Sequence, residues 1–293
     1  MKPFRSLLFV PGHKPNWVDK AVRAGAHAVI LDLEDAVPAG EKEAGRAAVA
    51  ETLDRLADGP TGLVVRVNPL DTDLFGKDIA AVVRPGLTAL LAPKVYRRDD
   101  IVAYDALITA AELENGMQRG SVGLIPSLET AQSLSNVDAI ASAPRVVSLM
   151  AAAAKDADIS REIGFTWSAA GMETLYLRSK VVLAARSAGL DHIVLGLWQQ
   201  VADLDGLRAF AEANRALGFG GQVIIHPSHA PMVNEVYTPS DAELERLRRL
   251  VASYEDGARD GQGAVMFDGE HIDFAHVQSA RSILAAAKHP EEN

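Results

Sequence analysis

Eight short apolar runs, rich in Val, Leu and Ile, recur along the chain between longer segments of helical period, and this alternation restricts the fold more than any other feature. The runs are SLLFVPG (6–12), AVILDLE (28–34), GLVVRVN (62–68), ALLAPKV (89–95), VGLIPSL (122–128), VVSLMA (146–151), HIVLGLW (192–198) and QVIIHPS (222–228). Between them lie helix candidates such as WVDKAVRAGA and METLYLRSKVVLAARSAG, several closing on glycine near a C-cap position, as at Gly25 and Gly189. Runs that are apolar throughout suit parallel strands covered by helices on one face and filled by side chains on the other. Eight βα units therefore predict an α/β chain closed into a (β/α)8 TIM barrel. An open doubly wound sheet is the competing arrangement. Strand number decides between them, and no Gly-x-Gly-x-x-Gly follows the first run.

After the eighth run the pattern changes. A helix candidate begins at Thr238-Pro239, followed by a Gly-rich turn, the short apolar arm AVMFDGEHID, and a last helix from Phe274. The expected organisation is a barrel over residues 1–235 and a C-terminal helical and arm extension over 236–293, long enough to reach the barrel mouth or another subunit.

A hydrophobic fraction of 48% supplies a core, while a formal net charge of -10 argues against nucleic-acid or anionic-membrane partners, which would be repelled at long range. Any anionic ligand must then meet a local basic pocket. The absence of cysteine removes disulfides, thiolate metal sites and a cysteine nucleophile, and leaves carboxylates and histidines as metal ligands. The apolar stretch near the N-terminus is too short for a signal peptide, and no run reaches the length of a membrane span, so a cytoplasmic protein is expected.

In a barrel of this kind the site lies at the C-terminal ends of the strands. Those ends carry His13 and Lys14, the acid cluster Asp32, Glu34 and Asp35, then Arg66 and Asn68, Lys94, Glu129, Asp156 or Asp158, Trp198, and His226. A guanidinium inside LVVRVN needs a partner, either the second-strand carboxylates or a substrate carboxylate, and the two readings are compatible. Lys94 carries the same ambiguity. Glu129 suits a metal ligand or an acid at a helix N-terminus. Carboxylates converging with one arginine and no thiol suggest a hard divalent ion such as Mg²⁺, which takes oxygen ligands and keeps positions for water and substrate.

At these residues the sequence resembles the citrate lyase β-subunit-like branch of the HpcH/HpaI aldolase superfamily, which includes malyl-, citramalyl- and citryl-CoA lyases. The matching stretches are RSLLFVPG (5–12), VILDLEDAVP (29–38), RVN (66–68), PKV (93–95), IPSLETA (125–131), YLRSKVVLAARSAGLD (176–191), IIHPSHAPMVNEVYTPS (224–240) and DGEHID (268–273). They come in family order and span nearly the whole chain. The resemblance implies a TIM barrel, a Mg²⁺ site, a coenzyme A thioester with a small 2-keto acid as ligands, and a homotrimer or hexamer. It places Glu129 on the first metal ligand, Arg66 on the arginine that binds the keto-acid carboxylate, and Asp32, Glu34 and Asp35 on the cluster supporting the metal's water shell. Asp273 falls on the acid delivered into a neighbouring subunit's site; between Ile272 and Phe274 it is expected to be partly desolvated, with a raised pKa. Arg5, His13, Lys14, Lys94 and His226 are the expected substrate and CoA contacts.

Two departures stand out. The Phe-Gly-x-x-Asp common after strand six is replaced by SLMAAAAKDADISREIG, where counting from Gly164 and Tyr176 favours Asp158 as second metal ligand and counting from VVSL leads to Lys155 and Asp156. Gln222 stands where many relatives have Lys, which puts one anion contact in doubt. The implied reaction is reversible carbon–carbon cleavage of a β-hydroxyacyl-CoA. Its alternatives are an aldolase of free hydroxy-keto acids, a malyl-CoA-type thioesterase, or a catalytically silent CoA-ester binding protein.

Overall fold

In a computed structural model, described over residues 3–288, the eight apolar runs form strands in one closed parallel barrel of order β1 to β8. Its first half reads β1 (Ser6–Pro11), α1 (Pro15–Arg23), β2 (Ala28–Asp32), α2 (Lys42–Leu56), β3 (Gly62–Arg66), α3 (Phe75–Val82), β4 (Ala89–Ala92) and α4 (Arg98–Glu114). The second half continues with β5 (Gly123–Leu128), α5 (Ala131–Ser135), α6 (Val137–Ala141), β6 (Met150–Ala151), α7 (Asp158–Ile163), α8 (Leu175–Ser187), β7 (Val194–Leu195), α9 (Leu204–Leu217), β8 (Gly221–Ile224) and α10 (Ala230–Val236). Strand count and closure exclude the open sheet. Gly25 and Gly189 adopt the positive φ (80° and 77°) that lets each chain segment leave its helix.

Alternation along the strands sorts the side chains into two layers. Leu7, Ile30, Val64, Leu91, Ile125, Met150, Val194 and Val223 fill the barrel interior, and the intervening residues join a larger cluster beneath the helices. Each fully buried aliphatic side chain stabilises the fold by about 1.5–3 kcal/mol. Phe4 plugs the lower end, its ring so close to Gly62 that a Cβ there would lie 2.1 Å from it. Val223 points inward, so Gln222 is directed outward, buried beside its register partner Ser6. Gln222 therefore lies outside the cavity at the barrel mouth.

β6 and β7 pair over two residues each, shorter than the runs expected at 146–151 and 192–198. Residues 146–149 meet β5 at the isolated bridge Leu124–Val146, where Leu124 N donates to Arg145 O (2.9 Å) and Val147 N to Leu124 O (3.0 Å), while Arg145, in a left-handed conformation (φ 66°), pairs with Asp105 and Glu112.

A second compact unit begins at Thr238, just beyond the expected boundary at 235. It comprises α11 (Asp241–Arg259), an antiparallel hairpin of β9 (Ala264–Phe267) and β10 (Glu270–Asp273), and α12 (Phe274–Lys288) around a small core of Leu250, Ile272, Val277 and Ala280. No helix among the described residues is long and apolar enough to cross a membrane.

Candidate active site

The inward register that builds the core also delivers the polar residues at its upper end. Ile30 is followed two residues on by Asp32 and then Glu34, Val64 by Arg66, and Ile125 by Ser127 and Glu129. Asp32 and Arg66 are register partners on adjacent strands. Arg66 consequently donates from Nε to Asp32 Oδ1 (2.7 Å) and from Nη2 to Oδ2 (2.6 Å), while its Nη1 lies 3.0 Å from Glu34 Oε2. The guanidinium stacks on the Phe9 ring, 4.8 Å from its centroid. It carries five N–H donors, so the two carboxylates leave one on each Nη available for a ligand.

Asp32 is fixed by two further donors, the backbone N–H groups of Glu34 (2.9 Å) and Ala36 (3.1 Å). Glu34 is less well satisfied: its Oε1 is buried without a hydrogen-bond partner, 3.6 Å from Lys94 Nζ. Burial pushes the Glu34 carboxyl up to about 7 against the opposing charges of Arg66 and Lys94. Burial alone would lower Arg66, but the bond to Asp32 and the neighbouring carboxylates reverse this and hold its pKa above the ordinary arginine value.

Lys94 is in a left-handed conformation (φ 49°), uncommon for a residue with a side chain. The turn lets its N–H donate to Glu129 Oε1 (2.9 Å) while the ammonium faces Glu34. Ser127 Oγ donates to Glu129 Oε2 (2.9 Å), and burial raises the Glu129 carboxyl. The cap of α5 is Thr130, whose side chain accepts from Ser133 N, so Glu129 is free of that duty.

A cavity of about 270 Å³ lies over this end of the barrel, bounded by Asp35, Arg66, Glu129, Asp156 and Asp158 on one side. Asp158 opens α7 and pairs with Arg161 one turn on; Asp156 is held at positive φ (52°). No group of three His, Cys, Asp or Glu among the described residues is arranged to hold a metal ion. Glu129 and Asp158 still suit Mg²⁺, which needs one or two protein carboxylates and fills its remaining positions with water and substrate oxygens. Each Glu129 oxygen keeps a lone pair beyond its hydrogen bond. A larger cavity of about 520 Å³ opens at the opposite barrel end, but its buried cation, Arg145, is already held by Asp105 and Glu112.

An apolar groove of about 430 Å³ adjoins the site, lined by Trp17, Lys20, Ile225, His226 and Pro227 together with Phe9 and Asp32. His226 is therefore at the mouth, with Nδ1 turned to Ser228 (2.7 Å). Lys14 is exposed at the start of α1. The remaining expected contacts are placed differently. Arg5 precedes β1 at the N-terminal end of the barrel, a strand's length below the acid cluster, and is corrected from the list of substrate contacts. His13 turns toward Glu41 (3.9 Å) with its Nδ1 buried and unpartnered. Trp198 is a core residue, edge-on to Trp167 at 5.4 Å.

Asp273 lies on the hairpin of the second unit. Ile272 points into that unit's core, so Asp273 points out, half exposed, accepting from Ala275 N (3.0 Å) and pairing with His276 Nδ1 (2.7 Å). The expected desolvation is corrected: the bond to His276 holds its carboxyl below the usual range.

Lys42 escaped the sequence reading. Its Nζ donates to Leu33 O (2.7 Å), Glu34 O (2.6 Å) and Asn68 Oδ1 (2.9 Å), clamping the backbone of the acid cluster from beneath. Asn68 in turn donates to Asp78 Oδ2 (2.6 Å), which Arg46 supports through Oδ1 (3.2 Å). The usable signal was a lysine at the first turn of an otherwise ordinary helix.

The pattern of the HpcH/HpaI aldolase/citrate lyase family matches residues 5–227. Among individual proteins, the chain is 35% identical over 286 residues to a (3S)-malyl-CoA thioesterase of Cereibacter sphaeroides, covering 98% of this chain and 95% of that one. It is 32% identical over 283 residues to citrate lyase subunit beta of Leuconostoc mesenteroides subsp. cremoris, covering 97% and 93%. The crystal structure of the protein CitE from Mycobacterium tuberculosis in complex with magnesium, acetoacetate and coenzyme A superposes with a TM-score of 0.77 at 29% identity, over 98% of this chain and 99% of that one.

Proposed function

Since the chain belongs to the HpcH/HpaI aldolase/citrate lyase family and superposes on CitE of Mycobacterium tuberculosis in complex with magnesium, we propose that it cleaves a β-hydroxyacyl-CoA reversibly into an acyl-CoA and a 2-keto acid. The observation that carries this reading is the convergence of Arg66, Glu129 and Asp158 on one cavity at the barrel's C-terminal mouth. Glu129 and Asp158 would hold Mg²⁺, which when bound supplies a Lewis acid for the keto-acid oxygens. Arg66 presents its two remaining Nη–H donors to the keto-acid carboxylate, and Asp32 and Glu34 keep the guanidinium plane from turning. Asp35, at the cavity wall, orders water beside it.

In cleavage the hydroxyl gives its proton to water and becomes a carbonyl, the adjoining carbon–carbon bond breaks, and its electron pair passes to the thioester enolate, which takes a proton on carbon. Condensation runs the same steps backward. Asp273, supplied by a neighbouring subunit as in the family's lyases, exchanges that carbon-bound proton. It gives that proton up in cleavage and takes it in condensation, which requires its ionised form. The apolar groove at Trp17, Ile225 and His226 would take the thioester's arm, with Lys20 in its lining and the exposed Lys14 at the start of α1 for its phosphates. The ligand pair is thus a CoA thioester and a small 2-keto acid, with a trimer or hexamer completing each site.

The relative named as a thioesterase supports a second outcome, attack of water on the same thioester. Incubating the protein with a synthetic β-hydroxyacyl-CoA, with and without Mg²⁺, distinguishes them by mass spectrometry. Acyl-CoA with keto acid establishes the lyase, free CoA with hydroxy acid establishes the hydrolase, and unchanged thioester in both conditions refutes either activity.

A further inference from the structure

The side of the cavity facing away from the acids carries information that the metal and the arginine do not. Its lining there is hydrocarbon: Phe9, Met150, Leu197 and Val223, with Ala152 and Ala153 in the segment that follows β6. Ala152 is the least buried of the three consecutive alanines, 152–154, that line the cavity. Gly196 closes the wall at β7, where a Cβ would come within 3.2 Å of the Ala151 carbonyl oxygen and the Ala153 amide nitrogen.

Charge is distributed just as unevenly. Among the described residues that line the cavity, Arg66 is the one cation, facing Asp35, Glu129, Asp156 and Asp158. Lys94 and Arg161 line the adjoining pocket on the far side of Glu129 and Asp158, and each is already paired, with Glu34 and Asp158 respectively. Among the described lining residues, then, a ligand carboxylate bound at Arg66 leaves a second carboxylate of the same acid facing methyl groups and acids, and a buried unpaired charge is strongly disfavoured.

We infer that the keto acid of this site is a monocarboxylate with a short alkyl chain, which lies along the Met150, Ala152, Leu197 and Val223 wall, and that dicarboxylic keto acids are rejected. This rests on the lyase reading above and specifies its substrate. Burial of each added methylene against such a wall tightens binding about fourfold. Discrimination against a second carboxylate comes from leaving it unpaired, which can exceed what a missing methylene provides.

The test is calorimetric binding of glyoxylate, pyruvate, 2-oxobutyrate, oxaloacetate and 2-oxoglutarate to the full chain loaded with Mg²⁺, which reads selectivity without turnover. Affinity should rise from glyoxylate through pyruvate to 2-oxobutyrate, and both dicarboxylates should bind at least about tenfold more weakly than 2-oxobutyrate. Oxaloacetate binding as tightly as 2-oxobutyrate overturns the inference while leaving the lyase reading intact; no binding by any acid strikes the lyase reading itself, and the preference falls with it. Ala152→Leu fills the wall, and with its native circular dichroism retained it should weaken 2-oxobutyrate about tenfold while leaving glyoxylate within about twofold. Equal loss for both acids would show that the chain lies elsewhere.

Discussion

Glu34 should make the barrel's stability fall with pH, and Glu34→Gln should remove that dependence. The carboxyl is buried with one oxygen unpartnered, and its pKa rises from 4.5 to about 7 on folding. At about 1.4 kcal/mol per pH unit the difference amounts to about 3 kcal/mol. An acid whose folded pKa lies above its unfolded value favours folding while it is protonated. That contribution is complete below about pH 4.5 and is lost as pH rises through about 7. Glutamine keeps the volume and cannot ionise, and Arg66 retains both bonds to Asp32. The variant should therefore gain on the wild type by about 3 kcal/mol between pH 4.5 and pH 8. Urea denaturation in metal-free buffer measures this, followed by the fluorescence of Trp17, Trp167 and Trp198, all of which lie in the first unit. A stability difference that stays constant across that range would show that Glu34 ionises as freely in the folded chain as in the unfolded one, and the burial argument would fail.

Arg66→Lys keeps a charge but loses the planar fork, so keto-acid affinity should drop about tenfold to a hundredfold, equivalent to one charge-assisted bond of about 1.5–3 kcal/mol; wild-type affinity by calorimetry would confine Arg66 to its ion pair. Lys42→Met should destabilise the barrel by about 2 kcal/mol and lower kcat with little change in the KM for CoA ester, whereas a parallel change in both would mean that the clamp does not position the acids. Glu129→Gln should abolish Mg²⁺ binding in calorimetry with the fold intact. Mixed and reassembled with Asp273→Asn, it should recover part of the activity each lacks alone; mixed oligomers verified by mass spectrometry but inactive would place both residues in one subunit's site.

Much of the architecture was legible because the barrel rests on local regularities. Eight apolar runs, helical segments between them and glycines at Gly25 and Gly189 are properties of short stretches, and a closed parallel sheet is what buries them all. The acids and the arginine were legible for a related reason: a charged residue two positions beyond an inward apolar residue must emerge at the barrel mouth. Where the reading failed, the deciding fact was a direction or a distant partner. Arg5 belongs to a matching stretch but sits at the wrong end of its strand. Gln222 is one residue out of register with the interior, and Asp273 faces away from its apolar neighbours because Ile272 takes the inward side of the hairpin.

The sequence by itself therefore determined the layers, the strand count and the identity of the groups at the mouth, since periodicity dictates which side chains share a face. Only the tertiary structure decided how those groups are bonded. The fork of Arg66 onto Asp32 depends on register between two strands, the turn at Lys94 on its amide reaching Glu129, and the clamp of Lys42 on a helix folding back under the loop it follows. These contacts join residues that are separate in sequence, so their strength depends on distances that close only when the barrel does.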